Sequence, residues 1–201
     1  NAPVLTLTSP LDGDVISSDD SVAFSGMVSD VEDAPGELTL SWVSDIDGEF
    51  STTGANSNGV IGFNISSLSP GMHSITAIAT DTSGLTDSKV SLVKINQLPT
   101  IPTVQLIPNP AYTSDILSAT ASSSIDEDGD GVTYLYEWYQ NNSITSNTTT
   151  IVQSNDTTKG DTWTVRVTPN DGYQNGPYAE TSVVIINSPP LISSVIPSAT
   201  Q

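Results

Sequence analysis

Apolar and polar residues alternate along this chain with a period of two. Val22, Phe24 and Val28 fall on one face, then Leu38, Leu40 and Trp42, and further on Ile75, Ala77 and Ala79. Later sets repeat the pattern: Tyr134, Tyr136 and Trp138, followed by Trp163, Val165 and Val167. Successive side chains of a strand point to opposite faces, so each set predicts a strand with one buried and one wet side. No window shows helical periodicity. Asp-Gly, Asn-Gly and Pro-Gly pairs interrupt the pattern about every eight to twelve residues, the spacing of turns in an all-β chain.

The pattern also recurs. Asp30, Glu32 and Trp42 return as Asp126, Asp128 and Trp138, each 96 positions on; His73, Ile75, Ala77 and Asp81 return as Trp163, Val165, Val167 and Asp171, each 90 positions on. Both copies close on Ile-Asn and a proline-bearing linker, at Ile95 to Pro99 and at Ile186 to Pro190. This is a module array, divided as repeat 1 over residues 1–96, repeat 2 over 97–187, and a linker with the start of a third repeat over 188–201, where Val195, Ile196 and Pro197 echo Leu106, Ile107 and Pro108. The unfinished third unit, and a start without Met, predict a piece of a longer chain. About seven short strands per repeat, with a Trp on an early central strand, predict two tandem immunoglobulin-like β-sandwiches in an elongated arrangement.

Composition narrows the partners. The formal charge of -19 arises from 23 acidic residues against only four Lys and Arg, with 13% charged residues in all, about half the usual fraction of roughly 25%. A surface stripped of cations cannot neutralise phosphates, which excludes nucleic acid and anionic lipid as partners. It does attract divalent cations. There is no Cys to staple the modules, and no apolar run approaches the ~18 residues of a membrane span. Four N-x-Ser/Thr sequons, at Asn64, Asn141, Asn147 and Asn155, are no more than composition alone supplies.

The stretches Asp126 to Trp138 and Gly160 to Gly172 resemble the PKD and cadherin-like repeats of large prokaryotic surface proteins. Looser versions occupy Ser29 to Pro35 and Gly71 to Asp81. The resemblance covers both repeats and implies an extracellular or cell-surface array. It says little about the task, since such modules serve as stalks, spacers and binders alike.

In such a sandwich two loops meet at one end. They collect Asp126, Asp128, Asp130 and Asp171 in repeat 2, and Asp30, Glu32, Asp33 and Asp81 in repeat 1. Carboxylates converging with no cation nearby repel one another, and Ca2+, a hard ion taking six to eight oxygens, relieves the repulsion. The bland alternative is that Asp and Gly make good turns and water screens the charge. Residues 126–137 also match the EF-hand pattern, but residues 132–139 alternate as a strand. Glu137 then lies roughly 20 Å beyond Gly131 and cannot reach the same ion, so the EF-hand is rejected.

Strand direction places the repeat 2 loops against the linker 96–102 and the far turns of repeat 1, around Asp12 to Asp14 and Asp45 to Gly48. By resemblance to cadherins, Ca2+ there, completed by linker oxygens or the Asn96 side chain, stiffens a rod. His73, the single histidine, is expected to pack in the core or make a corner hydrogen bond, and Trp42 and Trp138 to fill cores. Tyr112, Tyr139, Tyr173 and Tyr178 form no cluster in sequence. Lys159 and Arg166 are expected in surface pairs. No arrangement supports catalysis.

The resulting expectation is a non-enzymatic, Ca2+-stabilised extension or adhesion module. Its partners are neighbouring repeats of the same chain and cell-surface glycans or proteins, with no nucleic acid and no membrane insertion. The alternatives are an accessory carbohydrate-binding module of a secreted hydrolase, or a metal-free acidic spacer.

Overall fold

Proline decides where the first strand of each repeat breaks. Its missing N–H ends a ladder, so β1 (Val4–Ser9) stops at Pro10 and the chain resumes as β2 (Asp14–Ser17) in the opposite sheet. In the same way β9 (Thr103–Ile107) stops before Pro108 and Pro110, and β10 (Ala111–Tyr112) follows across the sandwich. Each repeat thus carries eight strands, one more than alternation predicts, because β2 and β10 are too short to alternate visibly.

The computed structural model describes residues 1–190; the third-repeat sequence at Val195, Ile196 and Pro197 lies outside the described residues. The chain forms two compact units. The first comprises Asn1–Pro99 with the segments Ile125–Val132 and Asp171–Asn175; the second comprises Thr100–Ser124, Thr133–Asn170 and the chain from Gly176. The two short segments lie in repeat 2 by sequence.

In the first unit a three-stranded sheet orders β1, β3 (Val22–Ser29) and β6 (Val60–Ile65). It faces a five-stranded sheet ordered β2, β8 (Thr86–Asn96), β7 (Gly71–Thr80), β4 (Thr39–Ser44) and β5 (Gly48–Ser51). All pairings are antiparallel except β2 with β8. The second unit repeats the plan. One sheet orders β14 (Ile151–Val152), β11 (Leu117–Ser122) and β9; the other orders β10, β16 (Ala179–Ile186), β15 (Thr162–Asn170), β12 (Thr133–Gln140) and β13 (Ser143–Ile144).

The alternating sets read from the sequence line the cores. Val22, Phe24, Val28, Leu38, Leu40, Trp42, Ile75, Ala77 and Ala79 are buried in the first unit, and Trp138, Trp163, Val165 and Val167 in the second, with Tyr134 and Tyr136 packed against that core. Phe24, Trp42 and Phe63 contact one another with ring centroids 5.0–5.3 Å apart. A buried indole needs a partner for its N–H. Trp42 donates to the Thr53 carbonyl at 3.1 Å and Trp138 to the Thr149 carbonyl at 2.7 Å, each eleven residues along.

The two repeats are not superposable copies. Trp42 pairs with Ala77, whereas Trp138 pairs with Val165; the sequence offsets would have put Val167 opposite Trp138. A slip of two residues keeps every side chain on its face, so the core tolerates it.

Candidate functional site

The repeated Asp residues turn out to be turn-formers. Asp30 Oδ1 accepts the N–H groups of Glu32 (2.7 Å) and Asp33 (3.1 Å); Asp126 Oδ1 accepts those of Asp128 (3.1 Å) and Asp130 (3.4 Å). Asp81 Oδ1 accepts from Ser83 and Leu85, both at 2.8 Å, and Asp171 Oδ1 from Tyr173 (2.7 Å) and Gln174 (2.6 Å). A short carboxylate that bonds the backbone two to four residues ahead closes its own loop. The two loops of repeat 2 each turn on a glycine with positive φ, Gly129 at 89° and Gly172 at 96°.

In repeat 1 the remaining carboxylates are also engaged locally. Asp33 accepts from the Thr82 N–H and hydroxyl, and Glu32 pairs with the exposed N-terminal ammonium at 2.6 Å. The two N–H bonds to Asp30 hold its carboxyl below the usual range, and its Oδ2 is buried without a hydrogen-bond partner. The acidic residues of the far turns behave likewise. Asp14 bonds the Leu11 N–H, Asp12 that of Leu92, Asp45 that of Ser74, and Asp47 the N–H and hydroxyl of Ser69.

The repeat 2 loops differ. Asp126, Asp128 and Asp130 each bring one carboxylate oxygen to within 4.8 Å of the others, the one such trio among the described residues. All sit in the first unit, where the end of β8 supplies their partners. The expectation of carboxylates with no cation nearby is corrected here. Lys94, only 6% exposed in its side chain, places Nζ 3.1 Å from Asp128 Oδ1 and 2.9 Å from Asp130 Oδ2. The Gln97 N–H donates to Asp128 Oδ2 at 2.9 Å, and the Asn96 amide donates to Asp171 Oδ2 at 2.9 Å and Gln174 Oε1 at 3.3 Å. Lys94 also lies 5.5 Å from the Tyr173 ring centroid.

Sequence reasoning named Asn96 and missed Lys94. One signal was present: Lys94 is one of only four Lys and Arg residues, and it sits between the apolar Val93 and Ile95; the structure buries the whole run from Val93 to Asn96.

One ammonium against four carboxylates leaves the site short of positive charge. Burial, and then the neighbouring Asp128 carboxylate, push the Asp126 carboxyl up to about 6. Burial works in the same direction on Asp128, but the Asp126 carboxyl beside it, the Gln97 N–H and Lys94 pull it down to about 2. Asp171 is also buried, yet the Gln174 N–H, the Asn96 amide and the Tyr173 N–H hold its carboxyl low. Burial opposes the Lys94 charge, which Asp130 and Asp128 more than restore, raising its pKa. Asp128 Oδ1 and Asp130 Oδ2 are buried with the Lys94 ammonium as their one partner, and Asp126 Oδ2 and Asn96 Oδ1 are buried with neither a hydrogen bond nor an ion pair. Oxygen donors of this kind fit a hard cation such as Ca2+. Asp126, Asp128 and Asp130 would hold it, with the Lys94 ammonium displaced.

The other residues singled out fall as follows. His73 is fully buried in β7, with Nδ1 2.7 Å from the Ser44 hydroxyl and Nε2 2.6 Å from the Ser69 carbonyl. A carbonyl only accepts, so Nε2 carries the proton and the hydroxyl donates to Nδ1 in the neutral ring. Arg166 bonds Glu180 at 2.7 Å and lies over the rings of Tyr178 (4.1 Å) and Tyr139 (5.2 Å). The fold therefore joins two of the tyrosines that the sequence leaves apart. Glu137 lies mid-strand in β12, its carboxylate 4.0 Å from Arg166.

No family model and no curated protein matches this chain. Among solved structures, titin domains A168–A170 align with a TM-score of 0.59 at 11% identity over 91% of this chain and 65% of that one. Sidekick-1 immunoglobulin domains 1–4 align with a TM-score of 0.50 at 11% identity, covering 93% of this chain and 50% of that one. Both units are immunoglobulin-like sandwiches. At such identity the likeness establishes the fold alone, and this chain spans 65% and 50% of the two structures it resembles. Among the described residues no helix is long and apolar enough to cross a membrane.

Proposed function

We propose that this chain is an extension or adhesion module of a secreted or cell-surface repeat protein of the PKD or cadherin-like kind, stabilised by Ca2+ in the loop that holds Asp126, Asp128 and Asp130. One observation carries the reading: three carboxylates are held within 4.8 Å of one another, and Asp126 Oδ2 among them is buried and unpartnered. Repulsion of this kind is costly unless a cation joins the group. In the repeat 1 set Asp30 and Asp81 close their own turns, Asp33 bonds Thr82 and Glu32 pairs with the N-terminal ammonium, which gives less support for a second ion.

Lys94 supplies the strongest observation for the rival reading, a metal-free spacer in which the ammonium already serves as the counter-charge. A thermal melt in EDTA, in millimolar Ca2+ and in millimolar Mg2+ separates the two. For an affinity of about 0.1 mM and about 2 mM free ion, one site adds roughly 1.8 kcal/mol. A Ca2+-selective rise of several degrees, lost in Asp126→Ala, is the expected result. Identical melts in all three buffers would leave the spacer reading standing.

A further inference from the structure

We propose that the second unit is an incomplete sandwich that takes up one further β-strand, supplied by a partner as an extended peptide segment with apolar residues at alternate positions. The slot runs along β11, on the side where β14 is too short to cover it. In the first unit the corresponding strand, β6, pairs with β3 at all six positions from Val22 to Met27, whereas β14 pairs with β11 only at Leu117 and Ser118.

The sequence records the loss. Trp42 and Thr53 are joined by an indole hydrogen bond and lie 96 positions before Trp138 and Thr149, which are joined in the same way. His73, however, lies only 90 positions before Trp163. The second repeat is therefore six residues shorter between Thr149 and Trp163, in the stretch that carries β6 in the first repeat. The core shows the consequence. Leu38 and Leu40 are 5% and 3% exposed, while Tyr134 and Tyr136, 96 positions on, are only partly buried.

The edge offers hydrogen-bonding groups to an incoming strand. The Ala119 N–H donates to the Thr150 carbonyl at 2.8 Å, which fixes the side that Ala119 faces. The N–H and C=O of one strand residue point the same way, and every second residue repeats the direction, so Ala121 faces the vacated side too. The Tyr136 hydroxyl stands beside the Ala121 N–H, and the Tyr134 hydroxyl accepts the Ser124 N–H at 3.3 Å. The carbonyls of Ala119 and Ala121 face a side where no strand of the described residues reaches them. Unpaired groups of this kind are what strand addition uses.

The first repeat also shows what fits. The inward residues of β6 are Ile61, Phe63 and Ile65, all packed against the core of that unit. The occupant of the vacant place has the same alternation, and a formal charge of -19 on the chain disfavours an acidic segment.

The slot is independent of the acidic loops, so the test is run in EDTA and its failure leaves the Ca2+ reading untouched. The probe is a synthetic peptide of residues 58–66, titrated to millimolar concentration into the isotope-labelled chain and followed by amide NMR. The expected result is saturable shifts centred on Ala119 to Ser122, with slower hydrogen exchange there. The same peptide carrying Ile61→Asp and Phe63→Asp should not bind. In the protein, Tyr136→Phe takes the competing hydroxyl away from the Ala121 N–H and should tighten binding by about fivefold. The proposal is overturned if the peptide gives no saturable shift, or if the Asp-bearing peptide acts equally. It is also overturned if the shifts fall on Val22 to Met27, since the peptide would then have exchanged with β6 itself.

Discussion

Replacing Lys94 by methionine keeps most of the aliphatic stem and removes the charge. In the folded chain that charge lies 3.1 Å from a fully buried Asp128 oxygen and 2.9 Å from Asp130. Deleting one partner of a buried pair strands the other, at a cost of about 3–5 kcal/mol. Here two carboxylates are stranded beside a third, Asp126, whose carboxyl already stands at about 6. Taking up protons is the cheapest escape, so the cost should sit near 3 kcal/mol at neutral pH and shrink toward pH 5. For a unit of about 100 residues this lowers the melting temperature by about 12 °C or more.

Lys89 supplies the control, on the same strand five residues earlier. Its ammonium lies 3.0 Å from Asp87, but the pair is 43% and 27% exposed, and such surface pairs are worth under ~1 kcal/mol. Calorimetry is the assay, because two units give two transitions and no single two-state midpoint. Lys94→Met should move one transition strongly and Lys89→Met barely. Millimolar Ca2+ should return part of the loss, since a divalent ion can stand where the ammonium stood. Equal shifts in the two variants would refute the claim that Lys94 neutralises the loop, and a Ca2+-insensitive Lys94→Met would count against the metal reading.

The pH dependence in EDTA follows from the coupled pair. Asp126, raised from 3.8 to about 6 when folded, contributes stability that is fully present below pH 3.8 and lost as pH rises through 6, at most about 3 kcal/mol. Asp128, lowered to about 2, contributes stability present above pH 3.8 and lost as pH falls toward 2. The first unit should therefore melt higher at pH 5 than at pH 7.5, and Asp126→Asn should flatten that slope; an unchanged slope would contradict the assignment. Gly59→Ala should cost about 2 kcal/mol or more in urea unfolding, because φ is +79° and a Cβ there meets the Val28 carbonyl oxygen at 2.3 Å. Gly62→Ala, with open space at its Cβ, should be near neutral. His73→Phe leaves the Ser69 carbonyl without its donor and should cost about 2–4 kcal/mol by the same assay.

The sheet faces were legible because a strand writes its burial into every second residue. Phe24, Trp42 and Val165 announce the core with no knowledge of their partners. Register was not legible. The slip that sets Val165 rather than Val167 opposite Trp138 preserves the alternation, and alternation is all the sequence records. The break of the first strand was recoverable in principle from Pro10 and Pro108, but β10 has two residues, too few for any periodicity.

The candidate site divides along a similar line. Asp30, Asp81, Asp126 and Asp171 stand out by repetition, yet what repeats is the closing of a turn, which each does with its own backbone. The chemistry that sets the second loop pair apart lies in residues the repetition does not carry. Asp130 corresponds to Ala34 in the first repeat, and Lys94 meets Asp128 across 34 positions of chain. A charge pattern read along the sequence sees neighbours, and Lys94 has only Val93 and Ile95 beside it. Its meaning emerges from the global shortage of cations: a chain with four Lys and Arg in 201 residues buries one of them among carboxylates. A lysine there adds little to solubility and must lose most of its hydration, so what keeps it folded inward is the charge of the loop it faces. By the same reasoning a divalent cation must compete with an ammonium already in place, and the Lys94→Met variant should bind Ca2+ more tightly than the parent chain.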